Sequence, residues 1–464
     1  MSMRKYYHVV LLSYLVLFSA VGAVNGQTPS DKDTVLITLK RAQEIALQRN
    51  PQIQSAEKDV VKAQTQITQA RGNLLPNLSA YTNYSHNFEL PVITIEFPDP
   101  RTGQTTKQEF SMGTRENIQS GLQLQQPLFQ GGQIYSGYQI SRLGAEVSRN
   151  QANITKQDVL LQVRQSFYNA LYTRQIIEVS EEALRNAERN LELVRKRKET
   201  GIASGFDLLR AEVQVSNTKP QVISARHGHE QALTGLRTTI GLDQDTPIQV
   251  SGQLTRESAG LDKLPLDSLQ QIALRQRLEI ENIRHQREIQ EKNLTVARAR
   301  LLPSLSASSN LQYQMQQESL AGLDTDDFVR SISGGLTLSI PLFTGGTSYG
   351  GLQQAKVELR KVDDSELQVR NMITAEVESA YYSLIDAREK LNSQDKTIAQ
   401  ATESLRLAEL RYKEGSATQL DILNAQLALQ QARSNYSQYL LQYNISQDRL
   451  RKAINEFSTN SMTE

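Results

Sequence analysis

His227 and His229, two residues apart, are the nearest this sequence comes to a metal-binding pair. The chain contains no cysteine, and no carboxylates cluster with the histidines at metal-ligand spacing. The two therefore read as an exposed pair on a helix. The lack of a thiol also excludes disulfides, a cysteine nucleophile and a lipid attached to an N-terminal cysteine. No nucleophile elbow, phosphate loop or metalloprotease helix is present. Lys196, Arg197 and Lys198 read as a solvated face near a helix end, where positive charge suits the helix dipole; contact with a partner is the alternative. Asp207 and Asp421 stand six residues after Gly201 and Gly415 respectively. Each is placed to complement the dipole at the start of a helix. These residues predict no catalysis, cofactor or metal, so the elements that carry them must hold the function.

The 464 residues exceed one ordinary compact domain, and 38% hydrophobic with 22% charged residues excludes both a disordered chain and a helical membrane protein. Aromatic residues make up only 6% and tryptophan is absent, which suits thin helical bundles better than thick globular cores. The net charge of +1 offers nothing to nucleic acid. Arg4 and Lys5, the apolar run from Val9 to Val24 and small residues up to Gly26 predict a signal peptide over 1–26. The run falls short of the roughly 20 residues that span a bilayer. No later stretch is apolar enough for a membrane helix, so any membrane crossing must use β-strands.

The chain is written twice. Residues 74–80, Leu-Leu-Pro-Asn-Leu-Ser-Ala, recur at 301–307 as Leu-Leu-Pro-Ser-Leu-Ser-Ala, and 121–132 recur at 335–346. The separation drops from 227 between Pro76 and Pro303 to 214 between Gly131 and Gly345, so the first repeat carries 13 extra residues between these motifs. Such an insertion belongs in an exposed loop. The predicted organisation is a first repeat over 27–240, a linker over 241–265, a second repeat over 266–455 and a polar tail over 456–464. Each repeat holds a helix (38–72, 266–300), two strands (74–90 and 115–128; 301–314 and 329–342) and a helical hairpin (132–240; 346–455).

The strands alternate with period two. Leu78, Ala80, Thr82 and Tyr84 share one face, against Asn77, Ser79, Asn83 and Ser85. Ile332, Leu336, Leu338 and Ile340 oppose Ser331, Ser333, Thr337 and Ser339. Each run matches the ~9–11 residues of a tilted membrane strand, although a soluble hairpin alternates in the same way. The connections 87–116 and 314–330 read as exposed loops. Pro127 and Pro341, lacking an N–H, are expected to end ladder pairing. Gly131, Gly132, Gly345 and Gly346 are expected to swing the backbone from strand to helix.

The long helices carry sustained heptads. From Ile373 the 4-3 spacing runs through Val377, Ala380, Leu384, Ala387, Leu391, Gln394, Ile398, Ala401, Leu405, Ala408 and Tyr412. The first repeat gives Val159, Val163, Ser166, Ala170 and onward to Val194. These are coiled-coil patterns with small core residues, and a helix over 132–200 would be about 100 Å long at 1.5 Å per residue. Pro220 is expected to kink or interrupt its helix. Four strands cannot close a membrane barrel, so chains must pool them if they enter lipid; two chains would supply eight and three would supply twelve.

The Leu-Leu-Pro-x-Leu-x-Ala and Pro-Leu-Phe-x-Gly-Gly motifs, each present twice, resemble those of the TolC-like outer membrane efflux proteins, the outer membrane factors. So do Arg411-Tyr412-Lys413-Glu414-Gly415 and Asp421-Ile422-Leu423-Asn424-Ala425. The resemblance covers nearly the whole chain beyond 26. It implies a mainly α protein with membrane β: a homotrimer whose twelve-stranded β-barrel in outer membrane lipid continues as a periplasmic α-helical barrel. It also implies a non-enzymatic exit duct for efflux or type I secretion, served by a periplasmic adaptor and an inner-membrane transporter. A secreted coiled-coil scaffold or adaptor without a pore is the competing reading. By the same resemblance Gly201 and Gly415, with Ala203 and Ala417, mark the periplasmic tips where the adaptor docks. Asp421, Asn424, Tyr412 and Asp207 mark the constriction at the tunnel mouth. The sequence departs from the family pattern at three of these positions. Asn424 replaces a second acid, Ala417 replaces the arginine of the closing lock, and Lys198 stands where the first repeat would match Tyr412. A less acidic mouth is the expectation.

Overall fold

A computed structural model describes residues 35–98, 100–101, 103, 105–257, 260–320 and 324–457. The expected leader and residues 458–464 of the expected tail lie outside these. The first half runs β1 (Val35–Ile37), α1 (Leu39–Arg49), α2 (Pro51–Gly72), β2 (Asn77–His86), β3 (Val92–Pro98), β4 (Thr105–Ser111), β5 (Glu116–Gln130), α3 (Gln133–Glu199) and α4 (Gly205–Ile240). The second runs β6 (Ile248–Val250), a 3-10 turn at Leu261–Lys263, α5 (Leu266–Gln276), α6 (Leu278–Ala299), β7 (Ser304–Gln317), β8 (Val329–Ser339), α7 (Thr347–Lys413) and α8 (Gln419–Ala453).

The two long helices α3 and α7 have 67 residues each, about 100 Å of helix. Their heptad positions face inward: Val159, Val163 and Ala170 on α3, and Ile373, Val377, Leu384, Ala387 and Leu391 on α7, are all buried. Each long helix packs on its return helix, and α3 also packs on α8. The four helices thus lie in the order α4–α3–α8–α7, with α4 and α7 outermost. The largest core lies midway along them, where α1, α5, β1 and β6 close around the helices. We call this level the waist.

Four expectations need correction. The first helix of each repeat is two helices. In the first repeat Asn50 is the break: its side chain accepts from the N–H groups of Gln52 and Ile53, Pro51 opens α2, and Asn50 Nδ2 donates to the carbonyl of Thr239 at 2.8 Å. In the second repeat Arg277 is the break; its buried guanidinium bonds Glu279 and the carbonyl of Ala453. The expected linker 241–265 contains β6, which pairs in parallel with β1, Val35 opposite Ile248. Gly241 (φ 75°) begins it, and a Cβ there would meet the carbonyl oxygen of Arg49 at 2.6 Å. The loop over 87–116 contains a β-hairpin of its own, β3 with β4. Finally, α4 is not interrupted at Pro220. Pro220 and Ser216 are both exposed, so water can hydrate the carbonyl that loses its partner.

The main sheet is antiparallel in the order β2-β5-β7-β8. Its central pair, β5 with β7, joins the second strand of one repeat to the first strand of the next. β2 and β8 are edges.

Candidate functional site

At the far end of each hairpin the chain reverses in the same way. α3 closes with the N–H of Gly201 donating to the carbonyl of Lys198 and that of Ile202 to Arg197; α7 closes with Gly415 donating to Tyr412 and Ser416 to Arg411. Gly201 and Gly415 take the left-handed conformation this reversal requires, at φ 76° and 78°. Ala203 and Ala417 follow them, half-buried.

The return helices open with matching capping boxes. The Asp207 carboxylate accepts from the backbone N–H and hydroxyl of Ser204 at 3.1 and 2.7 Å; the Asp421 carboxylate accepts from the N–H and hydroxyl of Thr418, both at 2.7 Å. Those bonds hold the Asp421 carboxyl below the usual carboxylate range, the backbone N–H contributing most. Asp421 is exposed and, with Asn424, Ala417 and Arg411, lines a groove of about 850 Å³ between α7 and α8.

Tyr412 is 7% exposed. The Arg197 guanidinium lies 4.5 Å from its ring centroid and donates to its backbone carbonyl. Burial raises the Tyr412 phenol, the Arg197 charge opposes that rise, and the Asp207 charge adds to it. Tyr412 and Arg197 therefore meet where the two hairpins of one chain touch, with the Asp207 charge felt by the phenol, while Asp421 and Asn424 face the groove beyond. Arg197 was read as part of a solvated basic face; only the meeting of the α3 and α7 ends turns it onto an aromatic ring. Of the two histidines, His229 Nδ1 lies 3.0 Å from the Thr173 hydroxyl, and burial lowers its pKa.

The strand–helix corners differ between repeats. Pro127 does not end pairing. It stays opposite Ser306, the ladder bulges, and pairing resumes with Phe129 opposite Leu305 and Gln130 opposite Ser304. The bulge accommodates the missing N–H and turns Phe129 onto the same face as Leu305. At the other corner β8 stops at Ser339, before Pro341. Gly132 and Gly346 cap the long helices at φ 86° and 84°. Gly131 (φ 59°) also lies against α6, where a Cβ would meet Ala299 Cα at 2.9 Å; Gly345 (φ 61°) has open space.

The sheet divides its faces by chemistry. Ala80, Leu122, Leu311 and Ile332 form one row across all four strands, and Ser79, Gln123, Asn310 and Ser333 the next row on the opposite face. Gln312 is linked to Asn310 and Gln314 by side-chain hydrogen bonds along the polar face of β7. On the apolar face Leu78, Ile332, Leu336 and Leu338 are each more than 60% exposed. The sheet thus has one wide-open apolar face, one amide-lined face and two edges unpaired among the described residues, and it stands on helical hairpins about 100 Å long.

The sequence model of outer membrane efflux proteins matches residues 43–242 and 269–456. The chain belongs to this family. This outer membrane efflux protein is similar to the alkaline protease secretion protein AprF of Pseudomonas aeruginosa, with 24% identity over 429 residues, covering 90% of this chain and 85% of that one. It is 22% identical over 421 residues to the outer membrane protein TolC of Vibrio cholerae, covering 89% of each. The crystal structure of the CmeC outer membrane channel of Campylobacter jejuni has the same fold, with a TM-score of 0.73 at 18% identity over 90% of this chain and 85% of that one. This efflux protein is a transport channel of the bacterial outer membrane.

Proposed function

We propose that three copies of the chain pool their strands into a twelve-stranded barrel and their hairpins into a periplasmic tunnel. The tunnel is the exit duct for substrates delivered by an inner-membrane transporter through a periplasmic adaptor. Export is passive, and no catalytic step is assigned to the chain. The observation that carries this is the way one repeat meets the next. β5 pairs with β7; the same rule applied once more pairs β8 with β2 of a second copy and satisfies both edges. The helices support it. α3 packs on α8 within the chain, so α7 would pack on the next copy's α4. The exposed outer stripe of α4, Phe206, Leu209, Val213 and Ile223, supplies knobs. Gly345 has the space that Gly131 lacks because its counterpart of α6 belongs to the neighbouring copy.

In this assembly the apolar face of the sheet meets lipid and the amide-lined face meets water. Gly201, Ala203, Gly415 and Ala417 form the periplasmic rim where the adaptor docks. Tyr412 and Asp207 close the seam between hairpins, and Asp421 with Asn424 forms the constriction, with one carboxylate per copy rather than two. The test is single-channel recording of the purified protein in a planar bilayer. Discrete, gated steps of low conductance are expected. Silence from a protein that is folded but monomeric and extracted by carbonate would return the chain to a coiled-coil scaffold.

A further inference from the structure

The hairpin β3–β4 is two-faced. Its register sets Ile93 opposite Phe110, Ile95 opposite Gln108 and Glu96 opposite Lys107. Ile93, Ile95, Phe97 and Phe110 therefore share one face, and the rings of Phe97 and Phe110 meet edge to face at 6.3 Å between centroids. Thr94, Glu96, Lys107 and Glu109 share the other, where Glu96 Oε1 and Lys107 Nζ are 3.1 Å apart. The four apolar side chains are between 41% and 47% exposed. A lone two-stranded hairpin is marginally stable in water, and an exposed apolar face on one marks a contact surface.

The strands are long enough to cross a bilayer and leave that face outside hydrocarbon. β5 runs 15 residues from Gln130 to Glu116, and about 9–11 suffice to cross the membrane. The hairpin begins beyond the Glu116 end and extends farther at about 3.3 Å per residue, on the external side if the tips are periplasmic. It hangs from β2, whose free edge adjoins the next copy. We propose that the Ile93, Ile95, Phe97 and Phe110 face packs against the same face of the hairpins of adjoining copies, forming a collar over the external mouth of the pore. The occupant is thus a second copy of this chain, and the proposal rests on the pooled barrel.

The chain has no cysteine, so an Ile95→Cys variant reports on this face without further change, and Thr94→Cys reports on the other. Oxidation of the assembled protein in membranes is expected to join Ile95→Cys chains into covalent dimers and to leave Thr94→Cys chains single. Equal cross-linking of the two variants, or none, in protein that light scattering shows to be trimeric overturns the collar and leaves the channel standing. A monomer overturns the pooled barrel itself. Labelling of the Ile95→Cys thiol by a lipid-soluble maleimide and not by a charged one also overturns the collar, since it places the face in the outer leaflet.

Discussion

At the waist, the helices enclose Leu236, Ile373, Leu384, Leu391 and Tyr443, each under 2% exposed, together with Phe167 and Leu440. At the tips, the same four helices enclose Val194, Ala211, Ala401, Leu405, Tyr412, Ile422 and Ala425. At about 0.8 kcal/mol per buried CH₂, an Ala-rich seam gains far less from burial than a Leu-rich one. The tips also hold Asn190 and Gln419 at 5% and 2% exposure with both side-chain heteroatoms unpartnered among the described residues. Orphaned groups of this kind cost about 1–3 kcal/mol each. The waist is the more strongly packed level and the tips are held by less, so in the proposed assembly opening is expected as a movement of hairpin ends about a fixed middle. Mutations at the waist should therefore cost stability, and mutations at the tips should change conduction.

The largest effect is expected at the ion pair buried in the waist. Arg164 Nε lies 2.5 Å from Asp448 Oδ2, with side chains 12% and 2% exposed, and Arg164 also donates to the Tyr168 hydroxyl at 2.6 Å. Burial raises the Asp448 carboxyl and the Arg164 charge opposes that rise. Arg164→Met strands the carboxylate and should cost about 3–5 kcal/mol. Arg164→Met with Asp448→Leu should recover most of that, because an apolar pair of similar volume removes the stranded charge. Denaturant midpoints measure both. A single variant costing less than about 1 kcal/mol would remove the pair from what fixes the waist.

A smaller effect is expected from Arg197→Ala. Losing the guanidinium over Tyr412 should cost only about 1–2 kcal/mol, yet it frees the seam between the two hairpins. Open time in single-channel records should lengthen, whereas Lys196→Ala, which removes only the exposed pair with Glu192, should leave it unchanged. Equal open times for the two variants would mean that the seam is not the latch.

The repeats, the heptads and the glycine breaks at Gly201 and Gly415 were legible because each is a local pattern written twice. The break at Asn50-Pro51 was local too, but the strong helical periodicity of 38–72 masked it. The break at Arg277 carries no proline and depends on distant partners such as Ala453. The alternation of Val92 to Phe97 was available and hidden by the prolines and charges around it. Pro127 keeps its place in the ladder only because β5 bulges at Leu128 directly after it, and Arg197 meets Tyr412 only once two hairpins separated by more than 200 residues pack together. A single sequence read element by element contains neither contact.

The smallest effect separates the two capping carboxylates. Asp207 and Asp421 hold the same local bonds, so their difference lies in what surrounds them: Asp207 acts on Tyr412 at the seam, whereas Asp421 faces the open groove. Asp421→Ala removes both cap and charge; Asp421→Asn keeps an acceptor for the Thr418 N–H and removes the charge alone. If Asp421 lines the constriction, both variants should lower cation selectivity equally, measured as reversal potential across a salt gradient. Asp207→Asn should leave it unchanged. Because its hydrogen bonds lower the folded-state pKa of Asp421, its charge, and the cap that charge makes, are fully present above the ordinary carboxylate range. Both are lost only as pH falls through the lowered value. Selectivity should therefore persist into mild acid, and Thr418→Ala, which removes the hydroxyl donor, should move its loss to higher pH. Selectivity that ignores Asp421→Asn and follows Asp207→Asn would exchange the roles of the two tips.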